Sequence, residues 1–188
     1  MVVYTAGHST LPLAGFLDLL AGHGIELVAD VRRFPASRRH PHFGRAALAA
    51  ALADAGIGYA WLPALGGRRR TRADSPHVAW RNPSFRGYAD HMDGPEFDAG
   101  LTELVAHARA RRTAVLCAEA VPWRCHRQLI ADALVARGID VRHVVGAGEP
   151  SSHRLTPFAR LEGTRVVYDG GQLGLPAAGT IVHNRAAR

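Results

Sequence analysis

Apolar runs of strand length alternate with stretches of helical spacing almost from the first residue to residue 145, and few folds accept that order. Residues 2–6 form a short apolar run ending at Gly7, and 12–21 carry apolar side chains at helical spacing up to Gly22. A second strand is expected over 26–31, an alanine-rich helix over 45–55 closed by Gly56, and a third strand over 59–62. Farther on, 95–112 reads as a helix with Pro95 near its start and arginines in its last turn, where they suit the helix dipole. Strands over 113–117 and 140–145 flank a helix over 122–137 that Gly138 closes, and a last short strand is expected over 165–168. The order implies an α/β fold: a single domain over 1–168, built on a largely parallel sheet flanked by helices. The glycine- and alanine-rich stretch 169–188 reads as a tail that is partly disordered.

Two segments interrupt the rhythm. Residues 32–44 and 66–84 are long, rich in arginine and proline, and poor in aliphatic side chains, as functional loops often are. Polar residues meanwhile fall just after the strands: His8 and Ser9 after the first, Asp30 and Arg32 at the second, Gly66 and Gly67 after the third, Cys117 and Glu119 at the fourth. Open α/β sheets bind ligands outside the carboxyl ends of their strands. These residues, distant along the chain, are therefore expected to converge on one sheet edge, with arginine-rich loops beside them.

Several of these stretches form a known series of motifs. Thr5-Ala6-Gly7-His8-Ser9, Asp30-Val31-Arg32-Arg33-Phe34-Pro35-Ala36-Ser37, Leu65-Gly66-Gly67 and Phe85-Arg86-Gly87-Tyr88 come first. Leu116-Cys117-Ala118-Glu119, Cys125-His126-Arg127 and His153-Arg154-Leu155-Thr156-Pro157-Phe158 follow in order. Over residues 2–168 the chain resembles the domain-of-unknown-function 488 family. The resemblance implies a compact α/β domain and no particular activity. It also favours Arg86, inside a motif, over the arginine run 68–72 for a specific role.

Charge bears on the partner. All 23 basic residues are arginines against 16 acidic ones, a net charge of +7. Arginine grips phosphate bidentately and stacks on bases, so nucleic acid or a phosphorylated small molecule is the expected partner. GC-rich codon usage would produce the same bias. No apolar run approaches the ~18 residues of a membrane span, and the N-terminus lacks a secretory pattern, so a cytoplasmic location without membrane association is expected.

The densest chemistry lies in Cys117-Ala-Glu119-Ala-Val-Pro-Trp-Arg124-Cys125-His126-Arg127, running from a strand end into a helix start. A helix start favours anions, with Arg124 and Arg127 beside it and Glu119 as an acid or base. Cysteine-phosphatase and sulfurtransferase loops also place a cysteine before a helix, but Trp123 stands where their arginine belongs. Cys117, Cys125 and His126, with His8 or His143, are candidate zinc ligands, although the spacing is not diagnostic and both cysteines would serve equally as core residues.

Asp30 beside Arg32 reads as a water-activating carboxylate or as an ion pair. His8 reads as a proton carrier and Ser9 as a substrate contact, or Ser9 and Thr10 as caps of the following helix. No Gly-x-Ser-x-Gly elbow, phosphate-binding Gly-x-x-x-x-Gly-Lys loop or dinucleotide fingerprint occurs.

Three functions are compatible with these residues. The first is carboxylate-assisted hydrolysis of a nucleic acid or nucleotide, for example base removal, without cofactor. Its catalytic residues are Asp30, Glu119 and His8, with Ser9, Arg32, Arg86, Arg124, Arg127, Gly66 and Gly67 on the substrate or its phosphate. The second is a nucleic-acid-binding module without catalysis. The third is a thiol or zinc enzyme centred on Cys117, Cys125 and His126.

Overall fold

The computed structural model describes residues 1–36 and 39–170. Its main element is a six-stranded, mostly parallel sheet with five α-helices. In chain order these are β1 (Val2–Gly7), α1 (Leu13–Gly22), β2 (Leu27–Asp30), α2 (Arg45–Asp54), β3 (Gly58–Trp61), α3 (Pro83–Met92), α4 (Pro95–Ala110), β4 (Thr113–Cys117), α5 (Arg127–Val135), β5 (Asp140–Val144) and β6 (Ser151–Ser152). A separate antiparallel hairpin, β7 (Arg160–Glu162) and β8 (Arg165–Val167), follows. The sheet order is β3-β2-β4-β1-β5-β6, with only β6 antiparallel to its neighbour.

The central strands β1, β2 and β4 are buried on both faces, as a parallel sheet between helices requires, whereas β3 is half-buried and β5 and β6 carry exposed residues. Tyr4, Ala6, Val28, Ala114 and Leu116 meet Phe16 and Leu20 of α1 and Leu48 and Leu52 of α2 on one face. Val3, Leu27, Ala29, Val115 and Val141 meet α3, α4 and α5 on the other, through Tyr88, Leu101 and Leu129 among others. Each fully buried leucine or phenylalanine contributes about 1.5–3 kcal/mol, so the layering is well determined.

The connections decide where a site can lie. β1 is followed by α1 on one face, and the adjacent β4 by α5 on the other. Chain leaving two neighbouring parallel strands in opposite directions opens a crevice at their carboxyl ends. Backbone bonds join its two lips, from His8 N to Cys117 O at 3.2 Å and from Ser9 N to Ala118 O at 2.8 Å.

The expected elements differ from these in several places. The helix expected over 122–137 is split: Pro122–Arg124 is a single 3-10 turn, and α5 begins only at Arg127. Cys125, between the two, has extended backbone, which turns its side chain inward. The 66–84 segment ends in an unexpected helix, α3, whose start is fixed by Pro83 and by the Asn82 side chain accepting from Ser84 N. β6 and β7 were not expected, being short and weakly apolar. α1 ends at Gly22, as its spacing implies, and the left-handed turn after it falls on Gly24, with φ +63°. The tail from 171 onward lies outside the described residues.

Candidate functional site

The crevice opens into a cavity of about 370 Å³ lined by His8, Ser9, Arg32, Arg33, Phe34, Ala36, His40, Gly67, Arg68, Cys117, Ala118, Glu119 and His126. The loops after β1, β2, β3 and β4 all contribute, which is the convergence expected from the strand ends.

Asp30 anchors the floor. It is fully buried at the end of β2 and accepts four hydrogen bonds. Arg32 N and Nε reach Oδ1 at 3.0 and 2.9 Å, while Arg32 Nη2 and Tyr59 OH reach Oδ2 at 2.6 and 2.7 Å. A carboxylate so saturated has no lone pair aimed at the cavity, so it orders Arg32 instead of activating water. The same partnership, with burial first, holds the Tyr59 phenol well above its ordinary range.

Arg32 is in turn nearly spent. Its Nη1 donates to Phe43 O at 2.8 Å and meets His8 Nε2 at 3.3 Å, so four of its five N–H groups are engaged within the protein. Arginine can only donate, and the carbonyl of Ser9 opposite His8 Nδ1 at 3.0 Å can only accept. His8 therefore carries its proton on Nδ1 and offers Nε2 to Arg32. Burial, then the Arg32 charge, pulls the imidazole down to about 4. Stacked on Phe43 at 4.0 Å, His8 is a fixed neutral wall and not the proton carrier its position suggested. Ser9 lines the cavity with left-handed backbone at φ +46°. It does not cap α1, which starts from Pro12 without a side-chain cap.

Glu119 is held from behind. Arg127 Nη2 donates to its carbonyl, and a Cβ at Gly7 would stand 1.7 Å from that same oxygen, so only glycine lets the two lips close. The exposed Glu119 side chain reaches the cavity wall from this clamped backbone.

Cys117 and His126 form the back wall, with Cys125 behind them. Their Sγ, Sγ and Nδ1 atoms all lie within 4.8 Å of one another. His126 Nε2 faces the Val31 carbonyl at 3.2 Å, which places the proton there and turns the Nδ1 lone pair toward the sulfurs at 3.6 and 3.9 Å. The neighbouring Cys125 and burial push the Cys117 thiol up, whereas Cys125 is pulled down by Cys117, then by His126 and Arg127. Among the described residues this is the grouping that could hold a metal; His8 and His143, considered as further ligands, lie outside it.

Three arginines expected on substrate lie elsewhere. Arg86 donates to the carbonyls of Trp80 and Val78 and staples the loop before α3. Arg124 is exposed in the 3-10 turn and does not line the cavity, and Arg127 is buried beneath it. Gly66 also sits behind the wall, where a Cβ would strike the Arg33 backbone 2.9 Å away. Tyr59, which fixes Asp30, has nothing in the sequence to distinguish it from an ordinary core aromatic. Phe43, an aromatic of the arginine-rich 32–44 loop, is buried against His8 and does not face the cavity.

Searches among curated proteins and among solved structures found no match. Among the described residues no helix is long and apolar enough to cross a membrane. The family model described as "Domain of unknown function DUF488" matches residues 12–134, a span narrower than the motif series but containing Asp30, Arg32, Gly66, Gly67, Cys117, Glu119 and Cys125-His126-Arg127. With well over half its length matched, and the crevice built largely from the matched part, the chain belongs to the domain of unknown function DUF488 family.

Proposed function

We propose that the cavity is the active site of a hydrolase acting on a nucleotide unit, free or within a nucleic acid. One observation carries the reading. Phe34 is 64% exposed at the cavity mouth, beside the exposed Arg33 and Arg68. A large aromatic side chain left in water at a cavity rim forgoes burial unless a ligand covers it, and a base is the planar group that pairs with arginine-bound phosphate. Arg33 already lies 5.7 Å over the Phe34 ring, so the stacking surface and the positive charge are adjacent. Glu119 is the carboxylate that would handle the proton of an attacking water. Asp30 and His8 position Arg32 and the wall and take no part in proton transfer.

Labelled single-stranded DNA and RNA oligonucleotides, titrated into the protein at low salt, test this directly. Phe34→Ala is expected to weaken binding roughly fivefold to a hundredfold, the cost of losing one stacked base. Glu119→Gln is expected to preserve binding while abolishing any base-loss or strand-cleavage product, which separates an enzyme from a binding module. Absence of binding at low salt to the oligonucleotides and to free nucleoside mono-, di- and triphosphates titrated alongside overturns the proposal.

A further inference from the structure

We infer that Cys117, Cys125 and His126 form a three-residue site for a divalent ion of the zinc class, with its fourth position open to the cavity. The inference goes beyond the nucleotide reading and stands without it, because it rests on coordination geometry.

Zinc–sulfur and zinc–imidazole bonds of about 2.3 and 2.05 Å at tetrahedral angles require N···S separations of about 3.6 Å and an S···S separation of about 3.8 Å. His126 Nδ1 lies 3.6 Å from Cys125 Sγ and 3.9 Å from Cys117 Sγ, and no pair in the trio exceeds 4.8 Å. Shifts of a few tenths of an ångström, with at most about an ångström between the sulfurs, complete the set. Two thiolates and one imidazole suit a borderline-soft ion and suit magnesium or calcium poorly.

The surroundings are those of a ligand set. A metal-binding histidine commonly donates its other N–H to a carbonyl, and His126 does so to Val31. Gly67 makes room for the ring, since a Cβ there would stand 2.9 Å from Nδ1. The fully buried Arg127, two residues after Cys125, leaves Nε and Nη1 without a partner and has no carboxylate among the described residues. A guanidinium sealed in the interior calls for negative charge nearby, and a dithiolate supplies it. Loading such a site releases the thiol protons to solvent and leaves both sulfurs as thiolates.

Cys117 and His126 line the cavity and Cys125 lies behind them. The vacant coordination position therefore faces the same space as Glu119, the layout of a catalytic site in which a bound water is available. Cys125 is the buried back ligand.

The test uses the full chain, reduced and metal-free, titrated with cobalt(II) as the spectroscopic probe. One equivalent is expected to give tetrahedral d–d bands with sulfur-to-cobalt charge transfer, and zinc to displace it. Cys117→Ser and Cys125→Ser should each lose the charge-transfer intensity or the binding. Gly67→Ala, which leaves every ligand in place, should weaken binding about 10–100-fold by crowding the ring. The inference is overturned if the folded wild-type chain takes up no cobalt, or if Cys125→Ser binds it unchanged. It is equally overturned if the reduced pair closes to a disulfide, read as a loss of two mass units, and the re-reduced protein still ignores the metal. Oligonucleotide binding is scored separately, so failure of either proposal leaves the other standing.

Discussion

Replacing Asp30 with asparagine separates a structural carboxylate from a catalytic one. Asp30 and Arg32 are buried together, with a shortest N···O contact of 2.6 Å. The asparagine side chain keeps the shape but loses the charge, and its amide nitrogen would point donors at Arg32 Nη2 and Tyr59 OH, both of which already donate. Removing one partner of a buried pair while the other charge stays costs about 3–5 kcal/mol. At about 2–4 °C per kcal/mol for a chain of this size, the melting temperature should fall by about 6–20 °C. Urea unfolding of Asp30→Asn, with Arg32→Met and the double variant to complete the cycle, measures this. The double variant should be less impaired than the two single losses summed, because no unpaired charge remains. If Asp30→Asn unfolds at the wild-type midpoint yet loses hydrolysis, the anchoring role is wrong and Asp30 returns as the water-activating base.

Two further outcomes follow from buried contacts. Gly87→Ala in α3 would place a Cβ 2.5 Å from Arg69 O and 2.7 Å from Arg70 C, backbone atoms that cannot rotate away. A loss of about 1–3 kcal/mol in urea unfolding is expected, with faster amide exchange over residues 69–71, and an unchanged midpoint would refute the contact. His143 lies in a buried relay in which Thr5 Oγ1 bonds its Nδ1 at 2.8 Å, its Nε2 bonds His153 at 3.0 Å, and His153 bonds Asp132 at 2.8 Å. Burial, then His153 and Arg127, lowers its pKa from 6.5 to about 4. The folded state therefore resists protonation that the unfolded chain accepts, and stability falls as pH drops from about 6.5 to about 4, by up to about 3 kcal/mol. His143→Asn should flatten the stability–pH slope in that window by up to about 1.4 kcal/mol per pH unit, and an unchanged slope would refute the assignment.

Strand ends were legible because parallel strands are marked by apolar runs, and whatever polar residue follows must sit at the carboxyl edge. That logic placed His8, Arg32, Gly67, Cys117 and Glu119 on one cavity. It could not distribute roles among them, since a role depends on which donors are already engaged. Asp30 next to Arg32 looks the same in sequence whether the carboxylate is free or saturated, and what saturates it is Tyr59, on a strand whose pairing with β2 is a tertiary fact. The cysteine trio was obscured for a related reason. Cys125 reads as one turn into a helix, where it would face away from Cys117, until the 3-10 turn at Pro122–Arg124 resets the chain and points it inward.

The arginine excess overstates how much positive charge is free to meet a partner. A net charge of +7 with no lysine suggests a broad polyanion-binding surface. Several guanidinium groups are engaged within the chain: Arg32 on Asp30, Arg69 on both oxygens of Glu96 and the carbonyls of Ala64 and Gly66, Arg137 on Asp98, and, at the surface, Arg160 on Asp169 and Arg165 on Asp93. Arginine serves as a planar fastener here, which lysine could not do as well. The cavity rim instead offers Arg33 and Arg68. Two phosphate contacts on a single strand imply that log K falls with log salt at a slope near about −1.4, far shallower than for a protein that wraps its charge around a duplex. Anisotropy titrations of a labelled single strand at several salt concentrations read this slope. A value several times steeper would mean that the whole basic surface, rather than the cavity mouth, holds the strand.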